Sequence, residues 1–304
     1  MNPDKYQWRS KEVDAFWRFV YERHSIWHKR FILHQAPPWT DDPILQRIKF
    51  TNIYRELDPG TMYSIYEIMN KPFPAADRIF NVMMYRLMVK ISTYDSWGFH
   101  TLAQFNEEEF DEHLRQIYNT GEPVFGNAYL ISPYSSMGSE YKFRNVSRLF
   151  GLIHRNFGWF YDRLVEAQTL QKAFQVINAQ YGFGPFLAYQ VCVDLMYPLP
   201  WHKGRSILKF SPDDWVKLGP GAKRGFSRVS PSHDQAGGLR ALRFAQKEEF
   251  ERLGLDFPYL HDKEGNPQEI NLANMQNCFC EFHKYRSMQD GTGKSQRLYI
   301  PGDR

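Results

Sequence analysis

Apolar side chains recur along this chain at the spacing of helices, not strands. Val13, Phe16, Trp17, Val20, Ile26, Trp27, Phe31 and Ile32 keep a period near 3.6 residues, which predicts a helix over 10–34 with Ser10 as its N-cap. The same pattern predicts helices over 42–57, 61–70, 74–91, 101–119 and 139–166, the last interrupted near Gly158. The helix over 42–57 stops at Asp58-Pro59-Gly60, a chain breaker. Residues 120–138, studded with glycine, proline and small polar side chains, read as loop. Two helices over 168–180 and 184–196 are joined at Gly182-Phe183-Gly184. Residues 198–232 read as irregular. Ser232 with Gln235 resembles a capping box opening a helix to about residue 253. Residues 254–270 read as loop, 271–288 as the last helix and 290–304 as a frayed tail. Strand-like alternation is nearly absent. The expectation is a mainly α fold of two helical lobes with a cleft between them.

Composition narrows the class. Of 304 residues, 42% are hydrophobic and 24% charged, enough for a packed core and too much for a disordered chain. No apolar run reaches the roughly 18 residues of a membrane span. The charged N-terminus lacks the apolar core of a secretion signal. The cysteines Cys192, Cys278 and Cys280 are too few for a disulfide framework and suit a reducing, intracellular compartment. A net charge of +4 permits nucleic-acid binding without demanding it.

Four segments carry candidate chemistry. In Gly182-Phe183-Gly184-Pro185-Phe186, two glycines join two helices, and Pro185 stands where a helix begins. The amides of the second helix can face a DNA phosphate, as in a helix-hairpin-helix; a plain tight turn is the alternative. In Gly219-Pro220-Gly221-Ala222-Lys223-Arg224-Gly225, backbone amides can form an anion nest beside two full charges. The alternative there is a solvated basic turn. Around it, Trp201, Phe210, Trp215 and Phe226 interleave with His202, Lys203, Arg205, Lys209, Lys217 and Arg228, a mixture that nucleic-acid grooves use. On the helix over 271–288, Cys278, Glu281 and Tyr285 share one face, as do Cys280 and Lys284. Cysteines at i and i+2 of a helix point apart, which argues against a metal centre of Cys278, Cys280 and His283. In 49–58, Asn52, Arg55 and Glu56 neighbour one another on a helical face, with Phe50, Ile53 and Leu57 on the core side.

Other trails close. Gly291-Thr292-Gly293-Lys294-Ser295 ends like a phosphate-binding loop, but Met288 occupies the place of the first glycine and no strand precedes it. His24 and His28 lack a third metal ligand and read as a surface pair. No hydrolase or zinc-deaminase motif is present.

Taken in order, Lys49-Phe50-Thr51-Asn52-Ile53-Tyr54-Arg55-Glu56-Leu57-Asp58, the hairpin Gly182 to Gln190 running on to Asp194-Leu195, Gly219-Pro220-Gly221-Ala222, and Gln276-Asn277-x-Phe279-Cys280-Glu281-Phe282-x-Lys284-Tyr285 resemble the α-glutamyl/putrescinyl-thymine pyrophosphorylase clade. That clade shares its domain with the helical part of 5-hydroxymethyl-deoxyuridine DNA kinases. The resemblance spans about residues 40–288. It implies a glycosylase-like helical domain there, an N-terminal helical extension over 1–39 and a tail over 289–304. It further implies a helix-hairpin-helix DNA-glycosylase-like fold turned to thymine hypermodification, in which an amino acid or polyamine displaces pyrophosphate from a thymine whose methyl carries a diphosphate. The sequence has no P-loop motif, so transfer is favoured over kinase chemistry.

Within that reading DNA and a small amine donor are the partners, with a separate 5-hydroxymethyl-uracil DNA kinase upstream. The setting is the host cytoplasm for a viral chain, or the nucleus for a eukaryotic one. No dedicated metal or cofactor site is expected; Mg²⁺ would arrive with the diphosphate. Gly219, Gly221, Ala222, Lys223 and Arg224 would stabilise departing pyrophosphate, with Asn52 and Arg55 contributing to its binding. Glu281 and Asp194 are the candidate general bases, Glu56 the third, and Lys284 the cation beside Glu281. Gly182, Gly184 and Phe186 would contact DNA. An extruded base would stack on Trp201, Trp215 or Phe226. Glycosylases of this fold carry a catalytic aspartate shortly after the hairpin. Gly219–Ala222 has no carboxylate there, and Asp213 and Asp214 lie earlier. A base-excising glycosylase and a non-catalytic DNA-binding module are the alternatives.

Overall fold

The computed structural model describes residues 3–293 and residue 298. In chain order the helices are α1 (Pro3–Tyr6), α2 (Ser10–Phe31), α3 (Pro43–Arg47), α4 (Pro59–Tyr63), α5 (Ala75–Met88), α6 (Ile91–Trp97) and α7 (Glu107–Asn119). Then come α8 (Lys142–Arg155), α9 (Phe157–Val165), α10 (Leu170–Asn178), α11 (Pro185–Leu195), α12 (Pro220–Val229), α13 (Gln235–Arg252) and α14 (Leu272–Gln289). A π-helical turn, Ser64–Met69, continues α4. One two-residue hairpin, β1 (Leu260–His261) with β2 (Pro267–Gln268), interrupts the helical pattern. The mainly α expectation therefore holds.

The chain divides into two compact units, Met1–Asp58 with Trp215–Arg304, and Pro59–Asp214. In the first, α2 supplies a core face. Phe16 stacks on Phe279 of α14 at 4.1 Å and meets Phe282 edge-on at 5.4 Å, while Trp17 meets Phe250 of α13 at 4.9 Å. Residues 10–31, set apart in the sequence as an extension, are thus packed into this unit. α12 lies backbone to backbone on α14. A Cβ on Gly225 would come within 2.0 Å of the Phe279 carbonyl oxygen, and one on Gly221 within 2.4 Å of Cys280 Sγ. Only glycine permits so close an approach.

In the second unit α5 is buried from Asp77 to Met88. Arg86 donates from Nε and Nη2 to both oxygens of Asp194 on α11, and Ser64 Oγ donates to the same carboxylate at 3.1 Å. α10 and α11 form the expected helix pair. Gly182 turns the chain at φ +88°, with Leu149 Cδ2 only 2.5 Å from where a Cβ would stand. Gly184 is the N-cap and Pro185 the first helical residue, and no side chain caps the helix. Among the described residues, no helix is long and apolar enough to cross a membrane.

Several boundaries differ from the sequence pattern. The helix expected over 42–57 is only Pro43–Arg47, followed by irregular chain and a single 3-10 turn at Arg55–Leu57. Over 74–91 the helix stops at Val89, which takes φ 55°. The one expected over 101–119 begins at Glu107, capped by Asn106. The break in 139–166 falls at Asn156, not Gly158. Ser10 is the first helical residue, with Arg9 at the cap. Asp234, not Ser232, caps α13 by accepting from the Gly237 amide. Residues 198–232 contain α12, because Pro220 pre-sets the first turn and the glycines fit against α14. From residue 294 onward, Leu298 apart, the expected frayed tail lies outside the described residues.

His24 is also corrected: it is fully buried, not a surface partner of His28. Its ring lies between Trp27 at 5.5 Å and Phe257 at 4.9 Å, and its Nε2 pairs with the Pro258 carbonyl oxygen. Burial pulls its pKa down to about 3; the Pro258 contact opposes this, while Arg23 and His28 add to it. His24 is therefore neutral in the fold. Below pH about 6.5 the unfolded chain takes up a proton that the folded chain refuses, so stability falls with pH. Between pH 7.5 and 5 this amounts to about 2 kcal/mol at 1.4 kcal/mol per unit. Urea unfolding at the two pH values should show His24→Phe losing about 2 kcal/mol less than the wild type. Equal losses would mean that His24 is solvated.

Candidate functional site

α14 carries its own division of labour. Cys278, Phe279 and Phe282 are buried in the core. Asn274, Asn277, Glu281 and Lys284, at intervals of three, four and three residues, line one side of the helix and meet the segment 49–55. Asn274 Oδ1 accepts from the Arg55 amide at 3.1 Å. Asn277 Nδ2 donates to Thr51 Oγ1 at 2.9 Å and to the Asn52 carbonyl oxygen at 3.3 Å. Glu281 Oε2 accepts from the Thr51 amide at 3.0 Å. Lys284 Nζ lies 3.6 Å from Glu281 Oε2, donates to the Lys49 carbonyl oxygen and sits 4.4 Å from the Phe50 ring centre.

These bonds explain why 48–54 is not helical despite its apolar spacing. Side chains of α14 take up backbone groups that a helix would have paired within itself. Asn52, Arg55 and Glu56 are brought together by this irregular path rather than by a helical face. Asn52 is buried; its amide donates to Asp58 Oδ1 at 2.8 Å and its Nδ2 to the Leu57 carbonyl oxygen at 2.9 Å. Its Oδ1 accepts from Arg23 Nη2 at 2.7 Å, so α2 also reaches this network.

The electrostatics single out Asp58. Burial raises its pKa to about 6, and the Glu281 charge adds to this; the Asn52 amide, Arg23 and Arg55 pull the other way. Burial also raises Glu56, against the Asn274 side chain and Arg55. The Cys280 thiol is pushed up to about 11, by burial first and then by Glu281, with Lys284, Arg224 and Arg55 opposing. Glu56, Asp58 and Glu281 thus share a neighbourhood with Arg23, Arg55 and Lys284. A carboxylate poised near pH 6 among cations and fixed amides can move a proton beside a bound anion.

The glycine turn opens α12, which packs against α14 at Phe279 and Cys280. Gly219 is its N-cap, Ala222 is fully buried, and Lys223 and Arg224 are exposed. Arg224 Nε donates to His283 Nε2 on α14 at 2.9 Å. Burial, then the charges of Arg224 and Arg228, keeps His283 below its ordinary pKa. Gly221 serves helix packing as well as offering an amide.

Other expected residues stand elsewhere. Asp194 belongs to the second unit, fully buried, with both oxygens taken by Arg86 and one shared with Ser64; it offers no carboxylate to an incoming amine. Gly182, Gly184 and Phe186 belong to the same unit, where Phe186 is exposed and meets Tyr129 edge-on at 5.0 Å. Phe226 is fully buried and cannot stack on a base; Trp201 is exposed in the second unit, Trp215 half-buried in the first. Among the described residues no three His, Cys, Asp or Glu side chains are placed to hold a metal ion.

Sequence reasoning missed Arg23, Asn274 and the bond from the Asn52 amide to Asp58. The spacing of Asn274, Asn277, Glu281 and Lys284 was the available signal for the α14 side; nothing local marks Arg23.

Residues 10–294 match the family model described as 5-hmdU DNA kinase, helical domain. The chain is 29% identical over 291 residues to a protein of Bacillus phage SP10 named 5-hmdU DNA kinase, covering 90% of this chain and 44% of that protein. The chain thus spans less than half the length of this relative. No solved structure matches.

Proposed function

Because this chain belongs to the family of 5-hmdU DNA kinase helical domains, we propose that it works in thymine hypermodification of DNA, as an amine transferase. The substrate is a DNA thymine whose 5-methyl carbon carries a diphosphate. A neutral amine of an amino acid or polyamine attacks that carbon. The new C–N bond forms as the C–O bond to pyrophosphate breaks, and the amine's proton passes to a carboxylate.

One observation carries the reading: Glu56, Asp58 and Glu281 gather with Arg23, Arg55 and Lys284 on a network built by α14. Asp58 takes the proton, being ionised at neutral pH yet more basic than an ordinary carboxylate. Glu281, the base expected from sequence, is tied to the Thr51 amide and holds Lys284 in place. Lys284, Arg55, Lys223 and Arg224 are the cations suited to the departing pyrophosphate. The uncapped start of α11 beyond Gly182 and Gly184 supports a backbone contact with DNA.

The test is nucleoside mass analysis. DNA containing 5-hydroxymethyluracil is incubated with ATP, a 5-hydroxymethyl-uracil DNA kinase, this protein and a mixture of amines. Aminated thymine that appears only with this protein is the expected product. Duplex binding without new nucleosides would leave a non-catalytic DNA-binding module; loss of the base would favour a glycosylase.

A further inference from the structure

A cavity of about 340 Å³ lies in the first unit, walled by Trp27, Trp39 and Phe50, with Arg23, Arg30 and Asn52 at its polar edge. We propose that it receives one pyrimidine nucleotide unstacked from DNA. The inference rests on the reading of the chain as acting on DNA.

The cavity follows from how α2 ends. Arg23, Trp27 and Arg30 recur at i, i+4 and i+7, so they share a face. The chain then doubles back, bringing Trp39 over that face. Trp39 is pinned at both ends: its Nε1 donates to the Gln35 carbonyl oxygen at 2.7 Å, and its own carbonyl oxygen accepts from Lys29 Nζ at 2.9 Å. Arg30 lies 4.8 Å from the Phe31 ring centre and 5.3 Å from that of Trp39. Trp27 is held by its stack on His24. The aromatic walls are therefore fixed before any ligand arrives.

Size and chemistry select the occupant. The volume sits at the small end of ligand pockets, roughly 300–1,000 Å³, which suits a single nucleotide better than a peptide helix. Flat aromatic walls favour a flat ring, since any base offers a π-face to stack. Arg23 and Arg30 repel a protonated polyamine and favour ring carbonyls and a phosphate.

The cavity also adjoins the chemistry. Its wall Phe50 carries Lys284 over the ring, and its edge residue Asn52 donates to Asp58. A base seated there would lie beside the carboxylates. This places the ring at Trp27 and Trp39, in contrast to the expected Trp201, Trp215 or Phe226.

The experiment uses 5-hydroxymethyl-2′-deoxyuridine 5′-monophosphate and an unmodified DNA duplex as separate probes, with tryptophan fluorescence and anisotropy as readouts. The wild type should bind both. Trp39→Ala should lose about tenfold or more in nucleotide affinity, as expected for a stacked base, and Trp39→Phe should keep most of it. Duplex affinity should stay within about twofold in both variants, since phosphate contacts dominate it. Duplex binding without nucleotide binding, equal nucleotide affinity in Trp39→Ala, or competitive displacement of the nucleotide by putrescine or glutamate would each overturn the assignment. Failure to bind either probe would instead overturn the DNA reading, and this inference with it.

Discussion

Asp58→Asn is expected to lower amine transfer by about 10²- to 10⁴-fold, the usual range for a general base, with duplex affinity unchanged. Asparagine keeps an oxygen for the Asn52 amide, so the loop should hold its shape. Expressed per neutral amine, the wild-type kcat/KM should rise with pH and level off above about 6, because the ionised carboxylate is the active form. Asp58→Asn should lose that limb. Glu281→Gln should move its midpoint downward, since the Glu281 charge helps raise Asp58. A well-folded Asp58→Asn variant with wild-type transfer would remove Asp58 from the chemistry. A limb that disappears in Glu281→Gln but survives in Asp58→Asn would return the role to Glu281.

Asp194→Asn should cost about 3–5 kcal/mol of stability, because it strands a buried arginine. Arg86 and Asp194 are both buried and joined by paired hydrogen bonds. The double change Arg86→Met with Asp194→Leu should recover most of the loss, since no uncompensated charge is left inside. Thermal and urea unfolding of the three variants decide the point. A double variant as stable as the wild type yet unable to transfer an amine would restore Asp194 to the active site.

Much of this fold was legible because burial writes a period into the chain. α2, α13 and α14 stand close to where their apolar stripes placed them, and the Gly182–Gly184 turn falls where glycine and proline announced it. The segment 48–58 misled for a physical reason. Phe50, Ile53, Tyr54 and Leu57 imitate a helical stripe, but the partners that hold the Thr51 and Arg55 amides between them lie more than 200 residues away on α14. Local propensity cannot register a hydrogen bond of that separation. α12 was obscured by its glycines, which disfavour an isolated helix and suit a close helix contact. Asp58 looked like a chain breaker because its raised pKa comes from folding: burial and a neighbour at 281.

The glycine ridge of α12 has a bearing on how this protein could be altered. With Gly221 against Cys280 and Gly225 against the Phe279 carbonyl oxygen, α12 and α14 are keyed like two parts of one casting. Lys223 and Arg224 therefore cannot be repositioned by sliding the helix that carries them. Under the proposed function, a search for variants that accept a bulkier leaving group would do best to vary side chains at 223 and 224, while holding 221 and 225 as glycine.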